Sequence, residues 1–558
     1  MAERAIFRFI NVSIISFLLI FISPGKSKEL YQIIIKNGTI IDGTGCPSFQ
    51  SDIGISGEKI VKIGIIEEAE GKRVIDAKGL IVAPGFIDVH THCDRGINNI
   101  PTVDNYIFQG VTTVIGGNCG GHPFPLQELF ICLEKKGISI NFASLIGHNT
   151  IRKIVMKYSM KKPTHEELKR MKDLIKKEMN AGAMGLSTGL SYIPGTYSDT
   201  QELVELASAV KPFDGIYATH LRDQGEHITQ AIEEAIKIGE LNDMPVQISH
   251  IKLAEDSVWG KTEMITEPVE KARKRGVEVY LDQYPYTATS SGFGSSFPSW
   301  AFEGGTEKFL ERLNDKEFYK KIKKHIIQRR LTSTKGINKL KTIFIANYQN
   351  NPELQGKNLF EILTMQDKKP NINNAVELII DIQKNEGAQG VFFQMDEKDV
   401  ESLMKLPYTM HASDGGVQSK GKGVPHPRNY GTFPRVISFY VKEKGVISLP
   451  EAVRKMSSLP AETFKIKNRG KIQTGMFADI VIFDYERFKD RATFSDPHQY
   501  SQGLEYVIVN GDIAVENNKL TGKLPGMVIY GPGKGEQKYD QKKRPRSQNH
   551  ILGRRGRQ

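Results

Sequence analysis

His90 and His92 stand two residues apart in His-Thr-His, and Cys119 sits in Gly116-Gly117-Asn118-Cys119-Gly120. His220 and His250 each close an apolar run, and Asp414 follows His411-Ala412-Ser413. Imidazole nitrogen, thiolate sulfur and carboxylate oxygen are the donors of a zinc-type site, which can catalyse when one coordination position stays open. Taken singly, each residue is ordinary. A histidine at a strand end is more often a hydrogen-bonded structural residue, and a lone cysteine more often small apolar filling. The set gains meaning only if the fold gathers it.

The elements that must do so are legible. Buried-looking apolar runs at 85–90, 111–116, 139–146, 184–188, 215–220, 245–250, 277–282 and 408–413 predict eight strands. Stretches 164–181, 200–212, 224–241 and 261–275 carry apolar residues at three- and four-residue spacing and predict helices between them. Eight strands with mostly helical connections predict an α/β fold, a (β/α)8 TIM-like barrel over 85–464. All six candidate ligands then lie at C-terminal strand ends, the face where such barrels carry their active sites. Within an extended strand, residues two apart face the same side, so His90 and His92 converge, and Lys252 should share the direction of His250.

The connection between the seventh and eighth strands is too long for a loop, and predicts an inserted helical subdomain over 287–405, a lid for the barrel mouth. Short strands with Asn-Gly and Gly-Glu turns near both chain ends predict a small β-sandwich from 28–84 and 465–530.

Of the formal net charge of +12 on 558 residues, +7 resides in the last 25, leaving a body too near neutral for a nucleic-acid footprint. Residues 531–558 read as a basic, solvated tail. Hydrophobic residues at 39% exclude wholesale disorder, and the 52 glycines have no three-residue period, excluding a collagen-like chain. Arg4 and Arg8 precede the apolar run 9–23, which is too short to span a bilayer and is followed by Pro24, Gly25, Lys26 and Ser27. This predicts a signal peptide over 1–27 and an exported protein, periplasmic or secreted, with no stable membrane partner once the signal is removed; the alternative is a membrane-anchored chain. Four cysteines, Cys46, Cys93, Cys119 and Cys132, are too few for a disulfide framework.

An ordered series of motifs carries a family resemblance over about 31–527: PGFIDVHTHCD (84–94), GVTTVIGGNCG (110–120), GLSTGLSYIPG (185–195), YATHLRDQG (217–225), VQISHIK (246–252), YPYTA (284–288), HASDGG (411–416) and HPRNYGTFPRV (426–436). The chain resembles the amidohydrolase superfamily and, within it, the D-aminoacylase (N-acyl-D-amino-acid deacylase) family. The resemblance implies one tightly bound zinc on Cys119, His220 and His250, and a second, weakly occupied position at His90, His92 and Asp414. Many relatives bridge two metals with a carboxylated lysine from the fourth strand. The corresponding stretch here, AMGLS (183–187), has no lysine, so a cysteine-bridged site is the consistent choice.

The implied reaction is hydrolysis of an N-acyl-D-amino acid, with Asp414 as the catalytic proton acceptor. Lys252, Tyr192, Tyr284, Ser290 and Arg428 resemble the family's substrate-binding positions, with Lys252 the expected clamp for the substrate carboxylate. The alternatives are a dipeptidase for peptides with a C-terminal D-residue, a cyclic amidase of the dihydroorotase or hydantoinase kind, and a metal-free scaffold on the same barrel. The missing lysine and the Asn-Cys-Gly motif weigh against the cyclic amidase. The complete ligand set weighs against the scaffold.

Overall fold

The computed structural model describes residues 31–534, so the predicted signal peptide and all but the first residues of the basic tail lie outside the described residues. The barrel strands are β1 (Phe86–Asp88), β2 (Val111–Gly116), β3 (Asn141–Ser144, continued by Ile146–Gly147), β4 (Gly185–Gly189), β5 (Ile216–His220), β6 (Val246–Ile248), β7 (Val279–Gln283) and β8 (Thr409–His411). Each pairs in parallel with its successor. The ring closes just beyond the ends of β8 and β1. There the Asp414 N–H donates to the His90 carbonyl (2.8 Å), the His92 N–H donates to the Gly415 carbonyl (2.6 Å), and Thr91 bridges Gly415. The closing seam is therefore made by candidate metal ligands and their neighbours.

Helices cover the barrel because their apolar faces leave no better place for them. Ile228–Asn242 buries Ile228, Ala231, Ile232, Ala235, Ile236 and Gly239, the three- and four-residue spacing of one face. Each fully buried isoleucine contributes about 1.5–3 kcal/mol. Helix His165–Ala181 starts where Thr164 accepts the Glu167 N–H (3.2 Å) and the Glu167 carboxylate accepts the Thr164 N–H (2.8 Å), a reciprocal cap. The predicted helix at 200–212 ends earlier, at Ala207, and continues as a separate short turn over Lys211–Phe213 containing Pro212.

The two chain ends build one continuous nine-stranded sheet. It folds over an isoleucine core, and Lys59 bridges Phe477, bringing its first half back against its second. Alternation assigns the faces. Ile480, Ile482 and Ile508 enter this core, while Val481, Val507 and Val509 pack into the large core that includes the barrel's buried residues. Asn510 and Gly511, both at positive φ, make the tight turn between Leu504–Val509 and Asp512–Glu516.

Between β7 and β8 the insertion carries five helices and its own core, including Phe293, Phe309, Ile379 and Phe392. It is not purely helical. Ala288–Gly292, Gln389–Phe393 and Ile343–Asn347 form a three-stranded antiparallel sheet. The sequence hides these strands because they are five residues each, two of them carry glycine, and they pair across long stretches of helix. No helix among the described residues is long and apolar enough to cross a membrane.

Candidate metal centre and active site

Six side chains predicted to bind metal converge at the C-terminal rim. Cys119 Sγ lies 3.3 Å from His90 Nε2, 3.6 Å from His220 Nδ1 and 3.6 Å from His250 Nε2. Asp414 Oδ1 lies 3.2 Å from His92 Nε2 and 3.6 Å from His90 Nε2. The donor atoms form two groups, Cys119 with His220 and His250, and Cys119 with His90, His92 and Asp414, each within 4.8 Å of one another. The shared member is the thiol. Donor types and spacing fit a zinc-type ion, with Cys119 placed to bridge two positions.

The backbone is bent to achieve this. Cys119, His250 and Asp414 take φ values of 53°, 36° and 48°, a left-handed region that costs a non-glycine residue of order 1–3 kcal/mol. The Cys119 loop has no room to relax. A Cβ on Gly117 would stand 2.1 Å from the Leu145 carbonyl oxygen, and one on Gly120 would stand 2.0 Å from Asn149 Oδ1. Glycine is required at both.

Outer partners fix the rings. His90 Nδ1 meets Asp282 Oδ2 at 3.4 Å, Asp282 Oδ1 accepts the His250 N–H at 2.9 Å, and Gln247 donates its amide to the same carboxylate. His220 Nε2 lies 2.7 Å from Ser191 Oγ, leaving Nδ1 for the metal side. Asp88, buried at the seam, accepts the N–H groups of His90 (3.2 Å) and Ser413 (3.1 Å), and burial pushes its carboxyl up to about 7. Burial also favours the neutral thiol of Cys119, but the imidazoles of His90, His220 and His250 hold it well below the usual range. Burial pushes the Asp414 carboxyl up, and the Arg428 guanidinium, with His250 and His92, overcomes this and holds it well below the usual carboxylate range.

Asp282, Gln224 and Ser191 escaped the sequence reading. Only Asp282 left a signal, an acid inside the otherwise uncharged strand VYLDQ. Outer-shell partners of metal ligands are worth about 10–100-fold in affinity. Asp282→Asn is therefore expected to weaken zinc binding by that order, read as the chelator concentration that strips half the metal.

The cavity over this cluster measures about 660 Å³ and includes His92, Cys119, Tyr192, Ser290, Asp414 and Arg428 in its walls. Arg428 donates to Asp414 Oδ2 at 2.7 Å, a buried ion pair. Ser290 comes from the insertion's sheet, so the insertion forms one wall of the mouth.

Two expected substrate residues are elsewhere. Lys252 does not line this cavity. Its ammonium turns onto the back of His250, donating to the His250 carbonyl and to Gln224 Oε1 (3.1 Å) and lying 3.0 Å from His250 Nδ1. The two-residue alternation fails because the strand ends at Ile248 and His250 has positive φ, so the chain past it is not extended. Tyr284 is likewise buried behind the wall, its ring 4.8 Å from the Arg428 guanidinium and 5.5 Å from Lys252 Nζ. His148 is held by Glu202 at 3.1 Å, and Cys93 is buried against Thr91 at 2.9 Å. All four cysteines are free.

Residues 73–309 and 398–515 match the model of the amidohydrolase family. D-aminoacylase of Alcaligenes xylosoxydans xylosoxydans is 33% identical over 90% of this chain and 98% of its own length. The structure of N-acyl-D-glutamate deacylase from Bordetella bronchiseptica, complexed with zinc and a phosphonate mimic of the reaction's tetrahedral intermediate, superimposes with a TM-score of 0.78. It is 30% identical, over 90% of this chain and all of that one. A D-aminoacylase structure with a binuclear metal centre, described as activated by one metal and attenuated by the second, gives a TM-score of 0.75 at 31% identity, covering 89% and 99%.

Proposed function

This chain belongs to the amidohydrolase family, and on that premise we propose how its cavity releases a D-amino acid from an N-acyl-D-amino acid with the help of zinc. The observation that carries the reading is the Cys119 sulfur within 3.6 Å of three imidazoles at the floor of a cavity that also holds Asp414. Cys119, His220 and His250 would hold the tight ion, and His90, His92 and Asp414, sharing Cys119, the weaker one. When bound, zinc supplies a Lewis acid and makes water acidic enough to act as a nucleophile near neutral pH.

The chain's own residues do the rest. Asp414, kept ionised and fixed by Arg428, takes the proton of the attacking water and returns it to the departing amine. Arg428 spends one guanidinium nitrogen on Asp414, and its remaining donors, with the hydroxyls of Ser290 and Tyr192, face a substrate carboxylate in the cavity. Lys252 and Gln224 act from behind, holding His250 in place.

The reading includes export, supported by the basic and apolar pattern of residues 1–27. The test is a set of N-acetyl-D-, N-acetyl-L- and L-Xaa-D-Xaa compounds assayed for released amine with zinc-loaded protein. Release from the N-acetyl-D compounds, with little from the L series, is expected. Release from the dipeptides alone would replace the deacylase by a dipeptidase.

A further inference from the structure

His426 stands in the cavity wall with Arg428 and Ser290, two of the groups assigned to the substrate carboxylate, and the reaction as described gives it no part. It is buried, and both ring nitrogens are engaged. Nδ1 lies 3.0 Å from the backbone nitrogen of Arg428, the first residue of helix Arg428–Arg435. Amides at a helix start find no carbonyl within the helix, so this one relies on the imidazole. Nε2 lies 2.9 Å from the Ala288 carbonyl oxygen. Ala288 opens the edge strand of the insertion's sheet, two residues before Ser290.

The partners fix the proton. A backbone N–H can only donate and a carbonyl can only accept, so Nδ1 is the acceptor and Nε2 carries the hydrogen. Burial and the Arg428 charge keep the ring neutral, holding its pKa well below the usual histidine value. Tyr286 and Phe494 stand at 90° and 72° to the ring, with centroids 5.1 and 5.0 Å away, and fix its plane. Asn429 braces the same corner, donating its amide to the His426 carbonyl (2.7 Å) and accepting the Gly416 N–H (2.8 Å).

A rigid ring tied at both ends sets a distance. One tie leads to Arg428, which pairs with Asp414, and the other to the strand that bears Ser290. Resting on the deacylase reading, we propose that His426 is a positioning residue. It holds the insertion's Ser290 and the barrel's Arg428 at the separation that receives the substrate carboxylate, and it keeps Arg428 in place against Asp414. It acts through two hydrogen bonds and exchanges no proton.

Two substitutions separate the bonds. Asparagine sets its amide oxygen at the level of Nδ1, and glutamine sets its amide nitrogen at the level of Nε2. The experiment measures kcat and KM of the zinc-loaded full chain for the N-acetyl-D compound that the unaltered protein cleaves fastest. His426→Asn keeps the acceptor for Arg428 and drops the tie to Ala288. KM should rise about tenfold, the scale of one unmet buried hydrogen bond, with kcat little changed. His426→Gln keeps the tie to Ala288 and leaves the Arg428 N–H unmet. Here kcat should fall about tenfold, because Asp414 loses its fixed partner.

Unchanged constants in both variants would overturn the inference and leave the deacylase reading standing. So would the same change of kcat and KM in both, which marks general loosening rather than two separate ties. If His426→Gln fails to fold, His426→Asn decides alone, and an unchanged KM overturns the inference. No hydrolysis of any N-acetyl-D compound by the unaltered protein would overturn both.

Discussion

Asp414→Asn is expected to reduce kcat by about 10²–10⁴-fold, the range for loss of a positioned proton-transfer group, while zinc remains bound at Cys119, His220 and His250. The side chain keeps its shape but loses the ability to accept and return a proton. A second effect follows from Arg428. Its partner carboxylate is gone, and the pair is almost fully buried, so an uncompensated charge remains, at a cost of about 3–5 kcal/mol. The variant should therefore also melt earlier. Adding Arg428→Gln should recover much of the lost Tm without restoring turnover, which separates chemistry from stability. Near-normal turnover in Asp414→Asn would remove Asp414 from the reaction.

Cys119→Ala should be more damaging still. The thiol is the one donor common to both groups of candidate ligands, so its loss leaves His220 and His250 as a pair and detaches the second position from the first. Zinc affinity should fall by more than about a hundredfold, beyond what losing an outer-shell partner costs. Metal content after dialysis should drop from about one ion per chain toward zero, with activity following it. The fold should persist, because the Cys119 loop is held by hydrogen bonds that do not involve the thiol: the Gly120 N–H donates to Ser187 Oγ (3.1 Å), the Ser187 hydroxyl donates to the Gly117 carbonyl (2.5 Å), and the Asn118 amide donates to the Val89 carbonyl (3.2 Å). Retention of a full equivalent of zinc would show that Cys119 is not a ligand.

Much of this centre was legible before any coordinates. Parallel strands buried on both faces read as apolar runs, so all eight barrel strands appear close to their expected places. His90, Cys119, His220, His250 and Asp414 could be grouped because each follows such a run directly. What remained hidden depends on departures from regular backbone or on pairings across the ring. Lys252 was expected beside His250, and positive φ at His250 turned it to the rear. Asp282 reaches His90 across 192 residues of sequence, and no spacing rule joins them. Arg428 is near Asp414 in sequence, yet its pairing needed the loop after β8 to fold back. The insertion's sheet was missed because its segments are only five residues long and pair across intervening helices, too short to show the alternation that marks a strand.

The seam between β8 and β1 has a further consequence. The backbone amides that fasten the first and last staves of the ring belong to His92 and Asp414, so tightening the hoop and assembling the reactive centre are one event. A loosened stave anywhere along that joint would be felt at once by these two candidate ligands. The enzyme thus cannot drift into a slack but still competent form, because slackness and incompetence begin at the same two residues.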